Sequence, residues 1–312
     1  MKSVSTLKKK RSKSRRSSNR RGGNPRQLSK TNKTKKNASC SPASSLHKIA
    51  PQSCFTEKTT IEMKNAYNEE NPLSSIQAET PQQIIRSLKD RHGCREDQCL
   101  VNQIKNKKVR ENIEKRIFLP KQPPEWKKKP NEWLSNFDIL DVLRQYEDAF
   151  PDFRFIGPVP IDFDKPLNGS CVAEELCSFR VNEEKSKQKT QIGVIFNLDK
   201  HDEPGSHWVS MYMDLEDSMI YFFDSASTEV PPEISVLKDR ILRENPEFTF
   251  LSNHVEHQRG NTECGMYSLY FIIHMLLSKN RKRLYQSHFN SAKHKITDKQ
   301  VQEYRNIYFS SD

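Results

Sequence analysis

Apolar side chains in the first part of the chain recur at helical spacing, among many charged positions. The clearest helix has Thr80 as its capping residue and a proline at its first helical position. Its apolar residues fall on one face: Ile84, Ile85 and Leu88. Gly93 follows the last turn, as expected for the end of a helix. The pattern predicts a charged, mainly helical region over residues 38–120.

The pattern changes after a stretch rich in proline and lysine, residues 121–130. Ser135 and Asp138 have the spacing of a capping box before a helix with a clear apolar face. Another helix is expected between Pro232 and Arg243. Five short apolar runs have the character of strands: 153–156, 191–196, 207–215, 219–223 and 248–251. These elements predict an α+β fold, a mostly antiparallel sheet packed on a central helix.

Charge divides the chain further. Residues 1–36 contain fifteen Lys and Arg and no Asp or Glu, so subtracting them from the total of +12 leaves −3 for the rest. A segment with so few apolar side chains is predicted to be disordered. We therefore expect a basic tail over 1–37, a helical arm over 38–120 and a compact domain over 121–312.

Targeting signals and cysteine usage bear on the cellular setting. The basic start lacks the apolar run of a signal peptide, and the longest apolar run, Leu269 to Leu277, is interrupted by His274. We expect no contact with membranes. The cysteines are odd in number and scattered: Cys40, Cys54, Cys94, Cys99, Cys171, Cys177 and Cys264. This usage predicts reduced thiols in a cytosolic or nuclear setting.

Cys264 lies where a nucleophile is favoured. Asn261 or Thr262 is expected to cap a helix that continues through Leu277, which places Cys264 in its first turn. Free N–H groups and the helix dipole favour a thiolate there. Gln258, with five residues between it and Cys264, can turn its amide toward the same point. The alternative is a buried structural cysteine on an apolar helix.

His207 and Asp224 form the second part of this chemistry. His207 opens one predicted strand, Asp224 closes the next, and residues 216–218 supply the turn between them. A hairpin returns its second strand to the end where the first began, so both side chains are expected at one edge of the sheet. An aspartate there holds an imidazole in the tautomer that accepts a proton from sulfur. Taken singly, each residue is also compatible with a purely structural place.

A metal site is the competing interpretation of the nearby histidines. His254, His257 and Cys264 have a spacing that lacks a fourth ligand, and no second pair matches a zinc pattern. Cys94 and Cys99 are expected to face solvent or to pack between helices. We therefore predict neither a metal nor a cofactor.

Several of these segments together resemble the clan CE cysteine proteases, which include adenovirus-type proteases and proteases that process SUMO and ubiquitin-like proteins. The segments are Gly205-Ser206-His207-Trp208, Phe223-Asp224-Ser225, Gln258 and Cys264-Gly265. The Gln-x5-Cys spacing and Trp133-Leu134 are similar to the branch that processes ubiquitin-like proteins. Phrases at 157–162 and 261–265 look most like versions carried by large DNA viruses. The match covers about residues 131–280.

The resemblance implies a role for each residue. Cys264 is the nucleophile, His207 the general base and then acid, and Asp224 orients His207. Gln258 donates to the oxyanion together with the backbone N–H of Cys264, and loss of one such donor typically costs about 100- to 1000-fold in rate. Two tryptophans, Trp133 and Trp208, line a channel that admits only glycine at the scissile end. Glu263 stands where cellular relatives usually have Asp.

These roles predict a cysteine endopeptidase that cuts after Gly-Gly or Gly-x-Gly motifs and matures viral structural polyproteins, in the virion or the host cytoplasm. A deconjugase or maturase of SUMO or ubiquitin-like proteins, with the nucleus as an alternative location, is the nearest competitor. An acetyltransferase that uses the same Cys264 and a non-enzymatic nucleic-acid-binding scaffold are more distant ones. The expected partners are protein substrates and, through residues 1–36, non-specific nucleic acid.

Overall fold

The computed structural model describes residues 40–311. The predicted basic tail, residues 1–37, lies outside this range. The division into tail, arm and catalytic domain therefore stays a prediction. Within residues 40–311, no helix is both long and apolar enough to cross a membrane.

The first described region is helical. Its helices are α1 (Pro42–His47), α2 (Glu57–Glu70), α3 (Pro81–His92), α4 (Asp97–Asn102) and α5 (Lys107–Ile117), with a 3-10 turn at Pro72–Ser74. Helix α3 confirms the predicted ends, because the Thr80 side chain accepts from the backbone of its first turn and Gly93 is left-handed (φ 66°). These helices enclose a hydrophobic cluster of their own, centred on Phe55, Val101 and Ile113.

The second region is built on a five-stranded sheet with the order β1-β4-β5-β6-β7. Its strands are β1 (Phe153–Pro160), β4 (Gln191–Asn197), β5 (Trp208–Asp214), β6 (Met219–Phe223) and β7 (Thr249–Ser252), and β2 (Pro166–Leu167) and β3 (Ser170–Cys171) form a small separate hairpin. The three central strands are antiparallel, whereas both edge strands pair in parallel with their neighbours. The predicted α+β class is confirmed, and the parallel edges were not anticipated.

Helices cover both faces of this sheet. They are α6 (Asn136–Ala149), α7 (Glu174–Cys177), α8 (Val181–Ser186), α9 (Pro232–Glu244), α10 (Cys264–Leu277), α11 (Arg281–Leu284), α12 (Asp298–Glu303) and α13 (Arg305–Tyr308), with a 3-10 turn at Pro124–Lys127 and a π-helical turn at Tyr285–Phe289. Alternate β5 residues point to opposite faces: Tyr212 packs with α6 and α10, and Met211 and Met213 pack with α7, α8 and α9. The predicted capping box of Ser135 and Asp138 is present at α6.

Six of the seven cysteines are paired, so the expectation of reduced thiols is wrong for them. The disulfides are Cys40–Cys54, Cys94–Cys99 and Cys171–Cys177. Sequence spacing did not reveal these pairs, because turns of the folded chain bring their partners together. Cys94, for example, follows α3 and meets Cys99 in α4. Cys264 is the one cysteine of residues 40–311 that is free.

Candidate active site

His207 and Asp224 meet at one end of the β5–β6 hairpin. His207 immediately precedes β5, and Asp224 immediately follows β6. Nε2 of His207 lies 2.6 Å from Oδ1 of Asp224. The structure therefore brings this predicted pair together where β5 begins and β6 ends, as the hairpin geometry predicted.

The Asp224 carboxylate is fully buried (0% exposed) and held by several donors. Besides His207, Oδ1 accepts the backbone N–H of Ala226 at 2.9 Å. Oδ2 accepts the backbone N–H of Thr228 at 2.8 Å and its hydroxyl at 2.5 Å. Burial by itself raises the pKa of Asp224, but the bonds from His207 and Thr228 outweigh it and leave the pKa below its ordinary value. The group is therefore an anion that can stabilise a charged imidazole.

Asn253, which the sequence analysis did not single out, fixes the backbone of Asp224. Its Oδ1 accepts the Asp224 N–H at 2.9 Å, and its Nδ2 donates to the Asp224 carbonyl at 2.8 Å. Asn253 lies just after β7, which pairs with β6 in parallel. Nothing in the local sequence signalled this contact, because it depends on which strand lies at the edge.

Cys264 is the first residue of α10 and is buried. Glu263 occupies the N-cap position and makes no side-chain capping bond, so the predicted caps Asn261 and Thr262 are wrong. Instead, the Glu263 carboxylate is buried against Arg305, 3.0 Å away. A Cβ added to Gly265 would lie 3.0 Å from the side chain of Leu134, so glycine here lets that segment approach the helix start.

The imidazole of His207 contacts both Asp224 and Cys264. Burial disfavours its charged form, but the hydrogen bonds and electrostatic interactions with Asp224 and Cys264 prevail and raise the pKa of His207 to about 9. Since Nε2 is engaged by Asp224, Nδ1 is the ring nitrogen left for the Cys264 thiol. This arrangement suits transfer of a proton from sulfur to an imidazole held by a carboxylate.

Gln258 is buried in the loop that leads to Cys264, and its amide has local partners. Oε1 accepts the Ser225 hydroxyl at 2.7 Å, and Nε2 donates to the Gly260 carbonyl at 2.8 Å. The Gln258 backbone N–H also donates to the Ser225 carbonyl at 2.9 Å. Ser225 follows Asp224 directly, so these bonds attach Gln258 to the end of the hairpin that carries His207 and Asp224. One amide hydrogen remains for a ligand.

The two predicted channel residues differ in exposure. Trp208 is 7% exposed, and its indole N–H donates to the Leu134 carbonyl at 3.2 Å. Trp133 precedes Leu134 and is 38% exposed. Both are thus tied to the segment that packs on Gly265 at the start of α10.

His257, the central residue of the alternative metal site, has both ring nitrogens engaged by the protein. The Ile296 N–H donates to Nδ1 at 3.2 Å, so Nε2 carries the proton and donates to the Phe289 carbonyl at 2.9 Å. Burial lowers the pKa of His257, which favours this neutral form. Across the described range 40–311, no cluster of three or more His, Cys, Asp or Glu side chains is arranged to hold a metal.

Comparisons with known proteins point to a family of peptidases. Residues 170–312 match the profile described as "Ulp1 protease family, C-terminal catalytic domain". A protein of Acanthamoeba polyphaga mimivirus that is named as a thiol protease is 28% identical over 283 residues, covering 82% of this chain and 88% of its own. A cysteine protease of African swine fever virus is 25% identical over 190 residues, covering 56% of this chain and 67% of its own.

The fold has a counterpart among solved structures. The crystal structure of the African swine fever virus protease aligns with a TM-score of 0.56 at 19% identity, covering 88% of this chain and 98% of the viral protease. The similarity therefore extends to the overall fold. Together, the profile and the named relatives identify residues 170–312 as a cysteine-type peptidase domain of the Ulp1 family.

Proposed function

We propose that this chain, which carries a cysteine-type peptidase domain of the Ulp1 family, cuts proteins after Gly-Gly or Gly-x-Gly motifs and matures viral structural polyproteins. The observation that carries the catalytic assignment is the contact between His207 and the buried Asp224, 2.6 Å apart, beside the free thiol of Cys264. The viral origin of the thiol-protease relatives supports the choice of a viral substrate.

The reaction proceeds in two halves. Nδ1 of His207 takes the thiol proton of Cys264, and the sulfur attacks the scissile carbonyl carbon. The oxyanion that forms accepts the free amide hydrogen of Gln258 and the backbone N–H of Cys264. The imidazolium then protonates the leaving amine as the C–N bond breaks. Water, deprotonated by His207, hydrolyses the thioester and restores the thiol.

The preference for glycine rests on the surroundings of the two tryptophans. Trp208 is fixed by its bond to the Leu134 carbonyl. Trp133, the residue before Leu134, is partly exposed to solvent. We propose that the two indoles line the passage to Cys264 and leave no room for a side chain on the substrate residue at the scissile bond. A substrate with alanine in place of the terminal glycine should therefore be cleaved far more slowly.

A deconjugase or maturase of SUMO or ubiquitin-like proteins is the second candidate. Its support is that a relative from another isolate of African swine fever virus, 24% identical, is named "SUMO-1 cysteine protease". Such substrates also end in Gly-Gly, so the motif alone does not separate the two candidates. The folded part of the substrate does.

The test compares wild type with Cys264→Ala on two substrate sets. One set holds viral polyprotein fragments with Gly-Gly or Gly-x-Gly sites, and the other holds SUMO and ubiquitin precursors. We expect Cys264-dependent cleavage of the first set and little of the second. Preference for the second set would favour the deconjugase, and cleavage of neither set would overturn both candidates.

We also propose that the protein acts in the virion or the host cytoplasm and that the basic tail retains it near nucleic acid. Fifteen Lys and Arg in residues 1–36 support electrostatic contact with phosphates, which weakens steeply as salt rises. Deleting residues 1–36 should lower nucleic-acid affinity and packaging while peptide cleavage persists. Unchanged localisation of the deletion variant would contradict this proposal.

A further inference from the structure

Asp298 holds the loop that carries Gln258. It is the first residue of α12, far along the chain from that loop, and it is half-buried. Its Oδ2 accepts two successive backbone N–H groups, from Arg259 at 3.0 Å and from Gly260 at 2.8 Å. Its Oδ1 accepts the hydroxyl of Tyr267 at 2.9 Å. One carboxylate therefore serves three donors from two parts of the molecule.

These two parts, the loop with Gln258 and the helix with Cys264, must keep a fixed distance from each other for catalysis. Tyr267 lies in α10, one turn after Cys264, so its bond ties Asp298 to the helix of the nucleophile. Gly260 is held from both sides, since its N–H donates to Asp298 and its carbonyl accepts from the Gln258 amide at 2.8 Å. Asp298 thereby fixes the position of the Gln258 side chain relative to Cys264.

We infer that Asp298 is a positioning residue for the oxyanion site, acting through Gln258. The inference rests on the proposed function, in which Gln258 donates to the oxyanion. Oxyanion donors act only when they lie about 2.7–3.1 Å from the developing charge. A displacement of about 1 Å can cost up to 100-fold in rate. A loop without secondary structure needs such an external acceptor to hold that distance.

Asp298→Asn is the informative change, because asparagine keeps the shape but has one acceptor oxygen and an NH₂ group that faces N–H donors. We expect kcat to fall about tenfold, within the range for a misplaced donor, with KM nearly unchanged. Alkylation of Cys264 by iodoacetamide should keep its wild-type rate and pH profile, because His207 and Asp224 are untouched. A uniform loss of activity and thiol reactivity would point to a merely structural role and overturn the inference.

Asp97→Asn is the matched control. Its Oδ2 likewise accepts two donors from a distant loop, the Ser53 hydroxyl and the Cys54 N–H, both at 2.8 Å. It belongs to α4 in the helical arm, away from Cys264. We expect a loss of thermal stability in both variants but a fall in kcat only for Asp298→Asn. Equal kcat values in the two variants would contradict the inference.

A double variant tests whether Asp298 acts through Gln258. Gln258→Ala alone should reduce kcat by about 100- to 1000-fold, and adding Asp298→Asn should reduce it no further. If the losses in kcat of the two single variants multiply in the double variant, the inference is overturned while the proposed function stands. The same holds if Gln258→Ala is slow but Asp298→Asn has the kcat of wild type. If Gln258→Ala keeps full activity, the oxyanion role itself is wrong and the inference falls with it.

Discussion

The two ends of the β5–β6 hairpin each bury an aspartate against a basic side chain, yet they serve different purposes. At one end, Asp224 meets His207 beside the start of α10. At the other end, Asp214, which is 1% exposed, meets Arg281 at 2.7 Å beyond the last turn of α10. The same strands and the same helix therefore place one pair beside Cys264 and the other, with a buried aspartate and a half-buried arginine, at the opposite end.

The chemical nature of the partner explains the difference. Arg281 carries a permanent charge. Its Nε also donates to the Met275 carbonyl at 3.1 Å, and its Nη2 donates to Oε1 of Gln191. It is thus a fixed cap on the C-terminal end of α10, where cations are favoured. His207 gains and loses a proton in the accessible pH range and touches a free thiol. A buried acid–base pair becomes catalytic only with a titratable partner and a third reactive group.

The largest test of this contrast replaces each aspartate by asparagine. Asp224→Asn should lower kcat by about 10⁴-fold, because the amide no longer holds the imidazole in the required tautomer or stabilises its charge. Asp214→Asn should leave kcat of the folded enzyme close to wild type and lower its melting temperature instead. Steady-state cleavage of a diglycine peptide and thermal unfolding of both variants give the comparison. Similar kcat values would show that the two ends are not functionally distinct.

Arg281→Met should have the next largest effect, on stability and not on chemistry. It leaves Asp214 buried without its cation, for which we expect a loss of about 4 kcal/mol in the free energy of unfolding. Urea unfolding measures this value. The control is Arg86→Met, which removes an exposed ion pair with Asp90 and should change stability by less than about 1 kcal/mol. Equal effects of the two changes would mean that Arg281 is not a structural cap.

The sequence predicted one end of the hairpin far better than the other. His207 and Asp224 could be predicted because the apolar pattern of β5 and β6 and the short turn between them define a hairpin whose two ends meet. Arg281 was not, because its bond to Asp214 depends on how α10 and the following turn pack on the sheet. Asn253 and Asp298 were not predicted for the same reason, because each contacts a segment that is distant in sequence.

Local capping signals predicted the starts of α3 and α6 correctly but not the start of α10. Thr80 and Ser135 cap their helices as predicted, because capping needs only residues within one turn. At α10 the expected caps are not used, and Glu263 faces Arg305 from the C-terminal helix instead. A tertiary ion pair thus replaces a local cap beside Cys264, and no local sequence pattern predicts it.

The His207–Asp224 and Arg281–Asp214 pairs should also differ in how their contribution to stability depends on pH. The pKa of His207 is raised from 6.5 to about 9 in the folded protein, so its pairing contributes fully below pH 6.5 and is lost as pH rises toward 9. Over that window wild type should lose stability relative to His207→Gln by at most about 1.4 kcal/mol per pH unit. The Arg281 pair has no such window, because arginine stays charged. A pH-independent difference between wild type and His207→Gln would contradict the assignment.

The smallest effect concerns a single hydroxyl. The Thr228 Oγ donates to Asp224 at 2.5 Å, while the Thr228 backbone N–H donates to the same oxygen at 2.8 Å. Thr228→Val keeps the shape and the backbone bond, so we expect a loss of about 1 kcal/mol of support, or about fivefold in kcat. Ser210→Ala is the control within β5, because the Ser210 hydroxyl donates to the Phe223 carbonyl and not to a carboxylate. If both variants slow cleavage alike, general packing of the hairpin governs the rate; if only Thr228→Val does, the donors around Asp224 set the strength of its hold on His207.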